Sequence, residues 1–435
     1  MFRNLSLPSL LRSLAIAAHP EGHATALRSP ANSAEARGGA PAPPEARPVE
    51  ASAVQQLPSG RDLRLDLFRG IALWLIFLDH IPDNIVNLFT LRNYGFSDAT
   101  EIFIFISGYT AAFVYGRAMH ERGFLISGAR ILRRAWQIYV AHIFLFTIFM
   151  AEIAYVAASF SNPLFAEEMN ILGFLKQPDV TIFQALLLKF KPVNMDVLPL
   201  YIVLLLLFPP VLRVLLWQPA YALAGAAIMY VVAIRFDVNL PAYPNGVWLF
   251  NPFAWQLLFV FGAWCAIGGA QRLNGLLRSP IVLALAIAYL LFAFAITLTW
   301  HFESLQAFVP NWLSELIYPI DKTNLDVLRF AHFLALAAIT VRFVPRDWSG
   351  LKWPLLQPAI LCGQHSLEIF CLGVFLAFAG QFVISEWSGG PLVQTAISIA
   401  GILIMIATAS LISWYKTIEG RANQQRATAS PGGAT

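Results

Sequence analysis

Charge is what this 435-residue chain has least of: Asp, Glu, Lys and Arg make up 12% of it, where a soluble domain carries about 25%. With 58% hydrophobic and 13% aromatic residues, too few ionised groups remain to build a water-facing surface, so lipid is the solvent for most of the chain. Cysteine is nearly as scarce. Cys265, Cys362 and Cys371 stand apart in apolar stretches, with no CxxC or His-rich spacing, which argues against a disulfide framework and a zinc site. GxGxxG, GxxxxGK[ST] and HExxH are all missing, and nucleotide hydrolysis and zinc proteolysis lose their basis with them. No long period recurs, so solenoids and arrays are out. No metal and no tightly bound cofactor are expected.

What is present is a succession of apolar stretches, each near the roughly 20 residues that cross a bilayer. Ten are counted, at 67–90, 96–117, 135–158, 197–217, 219–236, 253–270, 281–301, 324–344, 357–383 and 392–414. The fold class expected is therefore all-α, a polytopic membrane protein of about ten transmembrane helices. Residues 1–60 differ, being rich in Ala, Pro, Arg and Ser. They read as a disordered tail, either a solvated cytoplasmic one or an over-extended start. Leu7 to Ala18 has a faint signal-peptide look that Arg12 interrupts. A membrane domain over 61–415 and a cytoplasmic tail over 416–435 follow.

Lys and Arg are retained on the cytoplasmic side of spanning segments. Ten spans with both termini inside put 22 of the 29 basic residues in the cytoplasm and seven outside; an odd number of spans would spoil that sorting. The outward loops near 159–196, 237–252 and 302–323 hold Trp, Tyr, Pro and acidic residues, as segments at an interface or over a cavity mouth do. The positive charges sort by membrane side, so nothing points to nucleic acid.

An ionisable side chain within a span is costly unless paired or solvated, which makes each one a functional hypothesis. Arg69 and His80 are eleven residues apart, about 1,100° around a helix, so they share one face about 16 Å apart along its axis. An anionic phosphorylated donor would be held by the arginine, and the histidine would take the proton of a hydroxyl attacking the carbonyl carbon. The bland alternative is a satisfied core histidine. Asp83 lies one turn beyond His80 and could orient the ring, although Pro82 disturbs the backbone there. Asp79 is about 100° away around the helix and can help only if the helix ends nearby.

In the second stretch, Asp98 and Glu101 resemble an N-terminal cap, while Glu101 could equally be a counter-ion for Arg92, Arg329 or a protonated His80. Ser107-Gly108 is read as a close-packing pair; Ser107 has no GxSxG setting for a nucleophile. Lys322, Arg329 and His332 form either an interfacial anchor or a basic pocket for a carboxylate or sugar. Gln364, His365, Ser366 and Glu368 could be a clasp between helices or the floor of the site. His142 and Glu152 are read as structural.

Arg69 followed by His80 is similar to the first-helix signature of membrane acyltransferases that acylate sugars. More narrowly, Asp62-x-x-x-Asp66-x-x-Arg69-Gly70, Asp79-His80, Ser97-Asp98-Ala99-Thr100-Glu101 with Ile106-Ser107-Gly108-Tyr109, Asn251-Pro252-Phe253-Ala254-Trp255-Gln256, and Lys322-Thr323-Asn324-Leu325 with Arg329 and His332 resemble the OpgC family, over about 61–415. That family is implicated in succinyl modification of osmoregulated periplasmic glucans. The resemblance implies His80 as base or nucleophilic relay, Arg69 as a donor contact, and Asp66, Asp79 and Glu101 as supporting acids. The expected activity is O-acyl transfer, succinyl by this resemblance or acetyl, from cytoplasmic acyl-CoA to a periplasmic glucan or related glycan, in the bacterial inner membrane. Arg329 or Arg92 would meet the free carboxylate of succinate, with Lys322 and His332 in the same substrate pocket. The rival readings are a transporter or flippase for an anionic or glycosidic solute, using the same charges as a relay, and a non-catalytic scaffold. The number of subunits has no signal in the sequence.

Overall fold

A computed structural model describes residues 61–160, 172–386 and 389–428; the tail expected over 1–60 lies outside them. The described residues form an all-helical protein with no strand. Its principal helices are α1 (Leu63–Asp79), α2 (Ala99–Phe160), α3 (Val197–Trp217), α4 (Pro219–Arg235), α5 (Pro252–Trp264), α6 (Pro280–His301), α7 (Val327–Phe343), α8 (Gln357–Gln364), α9 (Ser366–Glu386) and α10 (Pro391–Thr428). Six stretches, Ala99–Val156, Val197–Trp217, Pro252–Arg272, Pro280–His301, Ser366–Glu386 and Pro391–Gly420, are long and apolar enough to cross a membrane. The protein is a multi-pass membrane protein.

Each expected apolar stretch carries a helix, but four boundaries differ. The first, 67–90, is helical only as far as Asp79; beyond it Pro82 lacks an amide hydrogen for the ladder, and residues 80–98 form a loop with two 3-10 turns, Ile85–Phe89 and Leu91–Asn93. The Arg-rich connection 117–134 is helical on both sides of Gly123, whose φ of 81° breaks α2 into two arms in a region of backbone space open to glycine. The ninth stretch divides at His365 into α8 and α9. The last continues to Thr428, into the expected tail. Pro219, Pro252 and Pro280 open α4, α5 and α6, at the one helical turn where a missing N–H costs nothing.

Two pairs of glycines set how closely the helices pack. A β-carbon on Gly70 would stand 1.8 Å from the Ala359 carbonyl oxygen, and one on Gly363 would stand 1.8 Å from that of Asp66, so α1 and α8 touch backbone to backbone. Gly108 and Gly262 do the same for α2 and α5, facing the carbonyl oxygens of Phe259 at 1.9 Å and Phe105 at 2.2 Å. In lipid there is no hydrophobic force between helices, and such close approach supplies the packing energy instead; the close-packing role read for Gly108 is what the structure shows. The centre is filled by Trp255, Phe259 and Phe208, with the last two edge to face at 5.1 Å. α1, the first arm of α2, and α3 line one seam, which holds the polar residues.

Candidate active site

The Asp62 carboxylate caps the start of α1, accepting from the Arg64 amide at 3.1 Å. At the other end His80 is the cap, its amide donating to the carbonyls of Ile76 and Phe77 at 3.1 and 3.3 Å. The helix thus ends where Asp79 needs it to end, but Asp79 does not turn to the ring: its Oδ1 accepts the Thr90 hydroxyl at 2.5 Å. Asp83, in a left-handed conformation with φ 53°, is exposed and makes no hydrogen bond to the imidazole, because Pro82 has turned the chain away. The loop is pinned to α10 through Asn84 Nδ2 to Ser398 Oγ (2.9 Å) and Ile85 N to Gln394 Oε1 (2.7 Å). Asn194 Nδ2 reaches the His80 carbonyl at 3.4 Å. His80 Nδ1 is buried without a partner, while the residue lines a cavity.

That cavity is about 430 Å³, within the range of small-molecule sites. Arg92, Val193, Leu249 and Trp300 are exposed at its mouth; Ile76, Ser97, Asp98 and Thr100 are buried deeper in. Two cations and two carboxylates balance beside it. Asp98 Oδ2 meets Lys322 Nζ at 2.6 Å and Arg329 Nη2 at 3.1 Å. Glu101, fully buried, meets the same guanidinium at 2.7 Å, and its Oε2 accepts the Asp98 amide at 2.9 Å. The Thr100 amide in turn donates to Asp98 Oδ1 at 2.8 Å. The cap and the counter-ion are therefore one structure. Burial alone would push the Asp98 carboxyl up, but Lys322 and Arg329 hold it well below the usual carboxylate range. Asp196, also lining the cavity, is pushed up to about 6 by burial, against the pull of Lys191 and Lys322.

Residues far apart in sequence brace this cluster. Asn251 Nδ2 donates to Asn324 Oδ1 at 2.8 Å, and its amide donates to the Thr323 carbonyl at 3.0 Å. Trp255 Nε1 donates to the carbonyls of Lys322 and Thr323 at 3.1 and 3.2 Å. The segment carrying Lys322 is thereby fixed to the start of α5. Ser97 Oγ lies 2.7 Å from His332 Nδ1, which anchors the entry to α2 on α7.

At the opposite end of the seam is a smaller cavity of about 130 Å³, lined among others by Arg69, Ser107, Thr110, Tyr115, Arg134 and Tyr201. Arg69 Nη2 donates to Thr110 Oγ1 at 2.6 Å and to the Ile106 carbonyl at 3.4 Å, and Nη1 stands 4.0 Å from Asp66. Asp66, buried, is gripped by Arg61 as well. Arg69 and His80 thus face the same two neighbours, α2 and α3, in successive cavities. Thr100 lines one and Phe103 the other, a separation of about one helical turn. Phe103, in the lining of the smaller one, packs against Tyr201 edge-on at 6.5 Å and Phe370 at 6.0 Å.

The family model for the OpgC protein matches residues 61–417. The chain belongs to the OpgC family. No curated protein and no solved structure matches it. Membership marks a glucan-modifying membrane protein; of the motif segments that carried the resemblance, 79–80, 97–101, 251–256 and 322–332 gather around His80 and the Asp98 cluster, and 62–70 with 106–109 lie at the Arg69 cavity.

Within this OpgC site the expected residues fall into distinct places. His80, Asp79, Arg92, Lys322 and Arg329 line the larger cavity, and Arg69 the smaller. Glu101 lies behind Arg329 and lines neither, and Asp66 stands behind Arg69. Arg92 Nη1 reaches only the backbone oxygen of Asp79, at 3.5 Å. His365 Nδ1 is 3.3 Å from Lys416 Nζ, next to Ser366, which lines the Arg69 cavity. His142 Nδ1 and Glu152 Oε2 are buried without partners. Asp196, Asn194, Thr90, Tyr201 and Trp300 were not singled out by sequence, since each is an ordinary residue type at the edge of an apolar stretch.

Proposed function

We propose that this OpgC-family chain is a membrane O-acyltransferase that moves a succinyl group from succinyl-CoA, met on the cytoplasmic side, to a hydroxyl of a periplasmic glucan. The observation that carries the reading is the placement of Arg69 and His80 in successive cavities of one seam. A donor whose phosphates rest at Arg69 must present its thioester at His80 on a thin, extended arm, and CoA has such an arm. Ten crossings with both termini cytoplasmic, in the inner membrane, are part of the proposal. The sorting of Lys and Arg supports it, as does the helix found on every apolar stretch.

In this mechanism the acceptor hydroxyl gives its proton to His80 as its oxygen attacks the thioester carbonyl carbon. The C–S bond then breaks and the leaving thiolate recovers the proton from the imidazolium, giving ester and free thiol. Asp66 steadies Arg69. Glu101 and Asp98 hold Arg329, whose charge they already balance, so the succinyl carboxylate falls to Arg92, with the part-exposed Lys322 beside it. Asp79 forms part of the wall, while His332, expected in the same pocket, lies outside the lining and acts only through Ser97, which it holds at 2.7 Å.

His80→Ala should lower glucan succinylation by at least about 100-fold while the protein still inserts in the membrane; unchanged succinylation rejects the assignment. Two successive cavities holding buried charges also suit a transporter of an anionic or glycosidic solute. Purified protein given labelled succinyl-CoA and glucan separates the two readings by whether labelled ester appears.

A further inference from the structure

Trp300 is the next-to-last residue of α6 and is 44% exposed. A tryptophan at a helix end in a membrane protein ordinarily sits at the lipid boundary, with its ring among the acyl chains and its N–H turned to headgroups or water. Trp300 differs on both counts. Its Nε1–H is donated within the protein, to the Tyr318 hydroxyl at 2.5 Å, and the residue lines the mouth of the His80 cavity. Tyr318 ends the short helix Asn311–Ile317. The chain that follows it brings Ile320 and Lys322 to the same cavity, so the indole is locked to the strap that carries the cation.

The wall of the same cavity also holds the Asp196 and Asp79 carboxylates and the Asn194 amide, each less exposed than the indole. An aromatic ring at an opening, with carboxylate and amide groups in the same wall, suits a hexopyranose: the C–H face of the sugar lies on the ring and its hydroxyls bond to the polar groups. We propose that Trp300 is the stacking platform for one hexopyranosyl unit of the acceptor glycan, holding the chain at the mouth so that a hydroxyl points down to His80. This rests on the reading of the cavity as the acceptor side of an acyltransferase.

The test is calorimetric binding of a linear glucose hexasaccharide to the full chain in lipid nanodiscs, with no acyl donor present. Trp300→Ala should weaken binding about tenfold, Trp300→Phe should keep it within about threefold, and Trp312→Ala, an exposed tryptophan elsewhere on the same segment, should leave it unchanged. Trp300→Leu, which fills similar space without an aromatic face, should also weaken binding about tenfold and serves if Trp300→Ala does not fold. In turnover with succinyl-CoA, Trp300→Ala should raise the KM for glucan about tenfold without raising that for the donor. Equal binding by wild type and Trp300→Ala, or no binding by wild type, overturns the platform. Binding that depends on Trp300 in a protein that never forms ester upholds the platform and overturns only the acyl-transfer reading.

Discussion

Glu101, sealed from solvent, is met by Arg329 on a single carboxylate oxygen, from Nε at 2.9 Å and from Nη2 at 2.7 Å. A buried ion of this kind stands only while its partner does. Arg329→Met should therefore cost about 3–5 kcal/mol, read as a lowered unfolding midpoint in detergent, and adding Glu101→Gln should restore part of it. The selection between succinyl and acetyl donors should survive in whatever Arg329→Gln protein folds. An Arg329→Met protein as stable as wild type would show that the pair is not coupled.

Asp98 gives a pH dependence of defined sign. Its carboxyl is held below the ordinary range by Lys322 and Arg329 after burial is overcome, so the folded state favours the ionised form more than the unfolded chain does. The stabilisation is present in full above the unfolded value, about 3.9, and fades as pH falls toward the folded one. Asp98→Asn should be less stable than wild type at pH 7, with the gap still open at pH 5 and closing only in stronger acid. A gap that closes between pH 7 and pH 5 contradicts this.

The glycine contacts predict opposite results for one substitution. Gly70→Ala places a methyl 1.8 Å from a backbone oxygen that has no rotamer to escape into, and should cost about 1–3 kcal/mol or prevent folding. Gly225→Ala, in α4, meets nothing within 4 Å and should be neutral or stabilising by up to about 1 kcal/mol. Thermal unfolding of the two variants side by side checks the pair.

In the proposed transfer, donor recognition divides between two arginines. Arg69→Gln should raise the KM for succinyl-CoA roughly 10- to 100-fold, the worth of a lost charged hydrogen bond, with little change in that for glucan. Arg92→Gln should instead narrow the preference for succinyl over acetyl donors, by about tenfold on the same scale. Steady-state kinetics with both donors measures each effect, and unchanged constants for both variants would remove the arginines from the donor path.

The apolar stretches, and the placing of Arg69 and His80 toward the same neighbours along α1, were legible because both depend on local spacing. The end of α1 was half legible: Pro82 marks a stop, but the placing of Thr90 against Asp79 depends on the fold of a loop held by Ser398 and Gln394 on α10. Glu101 was given three possible partners, and the sequence could not choose Arg329, since the two are 228 positions apart. Trp300 was hidden for a chemical reason. At a helix end it reads as an interfacial anchor, and only the fold, through its bond to Tyr318 and its place in the cavity lining, sets it apart.

The glycine contacts also decide where this protein can yield. α1 is fused to α8 and α2 to α5 by main-chain contact, so neither couple can slide internally without breaking atoms into one another. Arg69 and His80 ride on the first couple, while Phe103 and the acidic cap ride on the second. In the proposed transfer, making room for the donor arm beside Phe103 then means parting two stiff blades along their shared edge, like opening shears, and a cross-link between α1 and α2 should arrest turnover while leaving each blade intact.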